Sequence, residues 1–220
     1  MKLLFTLIML FAASFCNALG FKSIPNSEYI QVTKSPFDRF VVKDKKILTK
    51  YDKIIFKKLA FDEFVIKPSY NKAIDRTWIL TTEDKDQYAE FFKSELLDIY
   101  AGEYAQQLFG LGEGRLPNTL LAKPELLTLL PLVAHNGEDI SGAMHLERVE
   151  SFGSLSMRIT LVDSVTNEIV AIIEDGKDLN VKSTSRFANN KATNAYAWQK
   201  NFNVWLTNLK STLVELKAKE

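Results

Sequence analysis

Two histidines and three acidic residues near the middle of the chain are the residue types best suited to metal chemistry. They are His135, Glu138, Asp139, His145 and Glu147. Imidazole and carboxylate groups are common zinc and manganese ligands, so this group raises the hypothesis of a metal-dependent hydrolase. The His-Glu-x-x-His spacing that places two ligands on one helix face is missing, and Gly137 and Gly142 favour a loop. The interpretation we favour is a solvated loop with no metal and no cofactor.

Other patterns that resemble catalytic motifs have simpler structural interpretations. Gly110-x-Gly112-x-Gly114 follows a predicted helix, whereas a dinucleotide-binding loop follows a strand and opens a helix. It is therefore predicted to end that helix and form a loop. The Gly-x-Ser-x-Gly motif of serine hydrolases does not occur in the sequence. Asp163 and Glu168 are interpreted as turn residues rather than as paired catalytic carboxylates, so the sequence favours a protein that is not an enzyme.

A polar, basic stretch at positions 176–191 is the strongest candidate for a binding site. Its candidate binding residues are Lys177, Lys182, Arg186, Phe187 and Lys191. Clustered cations attract anionic partners, so the predicted partner is a lipid head group, a glycan or another envelope protein. The alternative is a solvated connection between a strand and a helix.

The composition excludes several classes of protein. The chain has 220 residues, with 28 Lys plus Arg, 27 Asp plus Glu, 46% apolar residues and one cysteine. These values are typical of a soluble globular protein and exclude disordered, collagen-like and disulfide-rich chains. A nearly neutral charge disfavours nucleic acid as a partner. After the N-terminal 20 residues, the richest apolar segment, 126–134, is too short to span a membrane.

The first 20 residues are predicted to be a signal peptide. One lysine precedes an uncharged apolar stretch at 3–15, and small residues allow cleavage after Ala18 or Gly20. The mature chain would then be periplasmic or secreted, without cysteine, and with 27 basic and 27 acidic residues. One alternative is an uncleaved membrane anchor. Another is a lipoprotein anchored at Cys16, although the bulky Phe15 stands where lipidation favours a small residue.

Residues 21–46 are predicted to form an extended N-terminal arm, and residues 47–220 a single α+β domain. Prolines interrupt the arm, which carries an apolar patch at Phe37, Phe40, Val41 and Val42. This patch is predicted to pack on the domain and complete its core. The alternative is that it docks on a partner protein.

Two long amphipathic helices are predicted. The first begins at Thr81 and Thr82, where hydroxyl groups and following acids are typical of a helix start. Its apolar residues recur every four positions as far as Leu108. The second helix covers the C-terminal region, where apolar residues from Trp198 to Leu216 fall on one face.

The remaining periodic segments are predicted strands. They are 51–59, 61–67, 77–80, 120–122, 125–135, 155–161 and 168–174. The last two are joined by a hairpin loop in which Asp163 binds backbone amides and Asn167 adopts a left-handed conformation. The predicted fold is an α+β two-layer sandwich, with a mostly antiparallel sheet and two long amphipathic helices on one face.

Four segments between Leu120 and Val214 occur in an order typical of one protein family. They are Leu121-Ala122-Lys123-Pro124-Glu125-Leu126, Glu150-Ser151-Phe152-Gly153, the hairpin from Leu161 to Glu168, and Phe187-Ala188-Asn189-Asn190 before a tryptophan-bearing helix. This order resembles an uncharacterised bacterial envelope family, the domain of unknown function 3313. The resemblance implies export and an α+β fold, and it implies no known chemistry.

Three functions are therefore compatible with the residues. The leading hypothesis is a non-enzymatic binding or scaffolding component of the bacterial cell envelope. The second is a metal-dependent hydrolase built around His135 and His145. The third is a carrier that holds a lipid or a small apolar ligand in a groove between helix and sheet.

Overall fold

The structure, a computed structural model, describes residues 29–44, 46–101, 110–137, 148–180 and 187–218. Their strands are β1 (Ile30–Gln31), β2 (Arg39–Val42), β3 (Lys53–Phe56), β4 (Val65–Ile66), β5 (Gly110–Leu111), β6 (Thr119–Pro131), β7 (Arg148–Val149), β8 (Gly153–Asp163), β9 (Ile169–Asp178) and β10 (Phe187–Ala188). Their helices are α1 (Lys72–Thr77), α2 (Thr82–Tyr100) and α3 (Lys191–Ala218), with 3-10 turns at Ile47–Lys50 and His135–Gly137. The predicted α+β class is confirmed.

Within the described residues, the main sheet has eight strands. Seven follow the order β1-β2-β9-β8-β6-β3-β5, and β4 pairs with β6 beyond the end of β3. Its centre is formed by the long strands β6, β8 and β9, and each is antiparallel to its neighbour. Strand β2 is also antiparallel to β9. Strands β3 and β4 run parallel to β6, and β5 runs parallel to β3. The sheet is therefore mostly antiparallel, as predicted, and β7 and β10 form a separate pair.

The predicted start of the first long helix is confirmed. The Thr81 hydroxyl accepts a hydrogen bond from the Asp84 amide (3.1 Å), and the Asp84 carboxylate accepts one from the Thr81 amide (2.8 Å). This reciprocal cap satisfies two amides that the first turn leaves without helical partners. The described part of α2 ends at Tyr100, and the predicted continuation to Leu108 lies outside the described residues.

The core lies between the sheet and the two long helices. Every second residue of β8 enters it, together with side chains spaced by three or four positions along the helices. The main contributors are Leu155, Met157, Ile159 and Leu161 from β8, Tyr88, Phe92 and Leu96 from α2, and Trp198, Phe202, Trp205 and Leu209 from α3. The Tyr88 and Trp198 rings stack at 4.0 Å. Among the described residues, these side chains pack against one another between the sheet and the two long helices.

Two predictions about short segments are wrong. The segment 77–80 was expected to be a strand, but Thr77 ends α1 and Trp78 caps it. Asn71 caps the other end, because its side chain accepts a hydrogen bond from the Ala73 amide (2.9 Å). The prediction of a loop at the glycine-rich segment is wrong for Gly110–Leu111, which pairs with β3 as strand β5, whereas residues 112–114 lie outside helices and strands as predicted.

Segments 120–122 and 125–135, which were predicted separately, are largely one strand that passes through Pro124. Proline lacks an amide donor and is rare in central strands. Pro124 lies opposite Ile159 of β8, and its carbonyl on the other side accepts from the Ala60 amide (3.0 Å). Ala60 belongs to the connection between β3 and β4. Pro124 therefore lies in the stretch of β6 between the residues that pair with β3 and those that pair with β4.

The apolar patch of the N-terminal arm is buried within the chain. Phe37, Phe40, Val41 and Val42 are at most 7% exposed. Phe40 pairs with Ile173 where β2 runs along β9, so this part of the arm supplies strands to the sheet. In the described part of the chain, no helix has the length and apolar character required to cross a membrane.

Candidate functional site

A cleft of about 440 Å³ lies on the face of the sheet that is turned away from the long helices. Ser154 and Ser156 line it and alternate along β8 with the core residues Leu155 and Met157. Because neighbouring side chains of a strand point to opposite faces, the two serines point away from the core. We call this space the sheet-face cleft.

The strand register arranges the floor of the sheet-face cleft in two rows. One row is Thr128, Ser156 and Gly176, and the other is Leu130, Ser154 and Asp178. Neighbouring strands lie about 4.8 Å apart, so each row is about 10 Å wide. Five of these six residues are small or polar, which leaves room above the sheet. The Thr128 and Ser156 hydroxyls are 2.6 Å apart and form a hydrogen bond.

The two sides of the cleft carry opposite charges. Lys67 follows β4 on one side, where its amide donates to the Leu129 carbonyl (2.7 Å). Asp38 precedes β2 on the other side, where its carboxylate accepts from the Gly176 amide (2.9 Å). These two hydrogen bonds hold the segments that carry Lys67 and Asp38 in fixed positions beside the floor of the sheet-face cleft.

Lys177 also borders the cleft, but it lies opposite Leu155 on the core side of the sheet, where its ammonium is paired with the buried carboxylate of Asp175. The Lys177 ammonium lies 3.0 Å from Asp175 Oδ2, which also accepts from the Trp205 indole N–H (2.8 Å). Burial raises the pKa of Asp175, and the hydrogen bond and charge of Lys177 partly oppose this. The positive charge of Lys177 is therefore already matched by a carboxylate.

The other predicted binding residues are placed as follows. Lys182 and Arg186 lie outside the described residues. Phe187 belongs to β10, opposite Val149 of β7, and Lys191 is the exposed first residue of α3. Within the described part of the chain, Lys177 is the member of the predicted set that lines the cleft.

His135 is a buried residue of the helix side of the sheet. Its Nε2 atom is 3.1 Å from both the Tyr88 hydroxyl and the Asn136 side-chain amide, and its ring lies 4.5 Å from that of Trp78. Burial is the main cause that raises the pKa of Tyr88. The remaining candidate ligands Glu138, Asp139, His145 and Glu147 lie outside the described residues. Among the residues that are described, no three His, Cys, Asp or Glu side chains form a group suited to a metal.

Asp163 organises the hairpin between β8 and β9, as the sequence predicts. Its carboxylate accepts hydrogen bonds from the amides of Val165 (3.0 Å) and Thr166 (2.9 Å) and from the Tyr51 hydroxyl (2.8 Å). Asn167 has the expected positive φ of 59°. Burial acts to raise the pKa of Asp163, but these hydrogen bonds and Lys50 outweigh it and hold the pKa well below its usual range.

Replacing Asp163 with asparagine is therefore expected to lower the free energy of unfolding at pH 7 by about 2 kcal/mol, the scale of hydrogen bonds to a charged group. Because the pKa of Asp163 is lowered by folding, its stabilisation is present above the ordinary carboxyl pKa of about 3.9 and is lost as the pH falls below it. Urea unfolding of both proteins at pH 7 and pH 2.5 measures the difference. An equal difference at the two pH values would contradict this assignment.

Sequence reasoning missed most residues of the cleft. The alternation of Ser154 and Ser156 with apolar residues marks an open sheet face, and this signal is visible in the sequence. The contributions of Asp38 and Lys67 are not visible there, because they come from segments far away along the chain.

Comparisons with known proteins leave the family open. No family model matches the sequence, and no curated protein matches it. Similar solved structures include a Xanthomonas campestris protein of the family DUF330, with 9% identity over 77% of this chain and 87% of that chain and a TM-score of 0.41. They also include the PelC dodecamer from Paraburkholderia phytofirmans, with 8% identity over 73% of this chain and 90% of that chain and a TM-score of 0.35. At these values the likeness supports no statement about function, and membership of the family of domain of unknown function 3313 stays a prediction.

Proposed function

We propose that the protein is a non-enzymatic component of the bacterial cell envelope that binds a glycan in the sheet-face cleft. The observation that carries this proposal is the cleft itself, whose volume of about 440 Å³ lies within the range of small-ligand sites. Its lining combines the hydroxyl groups of Thr128 and two serines, the carboxylates of Asp38 and Asp178 and the ammonium of Lys67 with two leucines, Leu130 and Leu155. Two side chains of types that are common in catalysis have structural contacts, since His135 packs against Trp78 and Asp163 accepts hydrogen bonds from turn amides.

The charges around the cleft favour a ligand without net negative charge. Lys177 is paired with Asp175, and the cleft also has Lys67 on one side and Asp38 and Asp178 on the other. Carboxylates accept hydrogen bonds from sugar hydroxyls, whereas they repel a phosphate. Of the partners predicted from the sequence, a neutral glycan therefore fits this site better than an anionic lipid head group.

Filling the cleft is expected to remove glycan binding. Ser154→Trp places an indole over the floor, and we expect it to weaken binding at least tenfold. The matched control is Thr160→Trp, which lies on the same strand and the same face but outside the cleft. Titration of isotope-labelled protein with neutral oligosaccharides of glucose, galactose and N-acetylglucosamine, followed by NMR, measures both variants against the original protein.

The same titration distinguishes the other partners. Binding to vesicles that contain phosphatidylglycerol, without any response to the neutral oligosaccharides, would contradict the glycan proposal. Equal loss of binding in Ser154→Trp and Thr160→Trp would also contradict it, because the control leaves the cleft open.

Export is tested separately by cell fractionation and N-terminal sequencing of the protein from its own host. Cleavage after Ala18 or Gly20 predicts a periplasmic or secreted chain that begins at Leu19 or Phe21. A membrane-bound chain with a lipid on Cys16 would show that the exported protein is an anchored lipoprotein and not a soluble one. A chain that begins at Met1 in the cytosol would contradict export.

A further inference from the structure

Three buried side chains at the start of α3 have polar atoms without a hydrogen-bond partner among the described residues. These atoms are Asn189 Oδ1, Asn194 Nδ2, Asn194 Oδ1 and Trp198 Nε1. Asn189 is 5% exposed, Asn194 1% and Trp198 0%. Leaving such a buried group unpaired costs about 1–3 kcal/mol, and about nine in ten buried polar groups in native proteins are paired.

Rotating the side-chain amides does not remove the unpaired atoms. Both polar atoms of Asn194 are unpaired, so exchanging its oxygen and nitrogen changes nothing. Asn189 is fixed by its other atom, because its Nδ2 donates to the Ala134 carbonyl (3.0 Å). The indole N–H of Trp198 has a single possible position on its ring.

Asn194 and Trp198 belong to the first part of α3, and Asn189 lies just before the helix against the turn His135–Gly137. Asn194 and Trp198 lie one turn apart on the same face of α3, and helical side chains lean toward the N-terminus. Trp198 therefore leans toward Asn194, and Asn194 leans toward the start of the helix, which Asn189 precedes. The backbone of Asn189 lies against Gly137, and Tyr88 stacks on the Trp198 ring at 4.0 Å.

The unpaired atoms match the bonding capacity of one water molecule. Trp198 Nε1 and Asn194 Nδ2 are donors, whereas Asn194 Oδ1 and Asn189 Oδ1 are acceptors. Water accepts two hydrogen bonds and donates two, and buried waters in proteins typically make about three bonds to groups of this kind. A charged ligand is disfavoured, because all four groups are uncharged and an isolated charge is costly to bury.

We infer that Asn189, Asn194 and Trp198 form an internal binding site for an ordered water molecule at the start of α3. The water links the helix to the turn His135–Gly137 through Asn189, which already binds the Ala134 carbonyl. This site lies on the helix side of the sheet, so it does not depend on the function proposed for the sheet-face cleft.

Water–protein cross-relaxation measured by NMR on the full folded protein tests this inference. The Trp198 indole N–H is expected to show a direct cross-peak to a long-lived water. The other two tryptophans are internal controls, because the Trp205 indole donates to Asp175 Oδ2 (2.8 Å) and the Trp78 indole to the Val133 carbonyl (2.7 Å). Neither control is expected to show such a cross-peak.

Two further results decide the assignment. Asn194→Leu replaces the amide by an apolar group of similar size and is expected to abolish the Trp198 cross-peak. Absence of that cross-peak in the unmodified protein would overturn the inference, and this readout stands even where the variant does not fold. Native mass spectrometry that shows a co-purified small molecule, lost in Asn194→Leu, would overturn water as the occupant.

Discussion

Replacing Glu174 with alanine is expected to lower the free energy of unfolding by about 3–5 kcal/mol, the usual cost of breaking a buried ion pair. Glu174 is fully buried between two arginines. Its Oε2 atom lies 2.8 Å from Arg39 Nη1, and its Oε1 atom lies 2.8 Å from Arg158 Nε. The arginine side chains are only 14% and 12% exposed. Removal of the carboxylate leaves Arg39 charged with little access to water, and it leaves Arg158 with its longer ion pairs to Glu63 (3.7 Å) and Glu125 (3.6 Å). Urea unfolding at pH 7 measures the loss.

The control for this variant is Glu168→Ala. Glu168 forms an ion pair with Lys43, but its side chain is 51% exposed and that of Lys43 is 45% exposed. Exposed pairs contribute about 0–1 kcal/mol, so the control is expected to unfold nearly as the original protein does. A similar loss in both variants would show that burial does not determine the contribution of Glu174.

Replacing Trp205 with alanine is expected to cost about 3–5 kcal/mol, because it empties the volume of a fully buried indole in the core. Trp205→Phe separates the packing from the hydrogen bond. It retains most of the ring but leaves the buried Asp175 carboxylate without its indole donor (2.8 Å), and we expect a loss of about 1–3 kcal/mol. Chemical unfolding monitored by circular dichroism measures both variants.

The loss in Trp205→Phe is also expected to depend on pH. Burial raises the pKa of Asp175, so the folded protein takes up a proton more readily there than the unfolded chain does. As the pH falls through the pKa of Asp175, the carboxyl group becomes neutral and needs the indole donor less, so the loss shrinks. The control Tyr196→Ala removes a half-exposed ring from the same helix and is expected to change stability by about 0.5 kcal/mol or less at either pH. A pH-independent loss in Trp205→Phe would contradict the proposed role of the indole.

The features predicted well from the sequence are those that depend on nearby residues. The start of α2 follows from Thr81 and Asp84, which are three positions apart and cap one another. The hairpin between β8 and β9 follows from Asp163, which binds amides two and three positions ahead of it. In both cases the deciding contacts lie within one turn of chain, so composition and spacing are sufficient.

The features that were missed depend on contacts between distant segments. His135 was considered as a metal ligand because of its sequence neighbours, but its described contacts include Tyr88 and Trp78, which come from elsewhere in the chain. The cleft depends on Asp38 meeting Gly176 across 138 positions. The basic stretch is predicted to attract an anion, but Lys177 is already paired with Asp175. That pairing forms where Asp175 is buried beside Trp205, and this burial exists only in the assembled core.

The position of β2 in the sheet has a consequence for how the chain folds. Strand β2 pairs with β9, so Arg39 meets Glu174 across 135 positions. Closing so long a loop is entropically unfavourable, and folds rich in such distant pairings form slowly. Most of the chain, as far as β9, must therefore be available before β2 finds the strand beside it. Any N-terminal fragment that ends before Ile169 lacks the strand on which β2 pairs, so its arm has no place in the sheet.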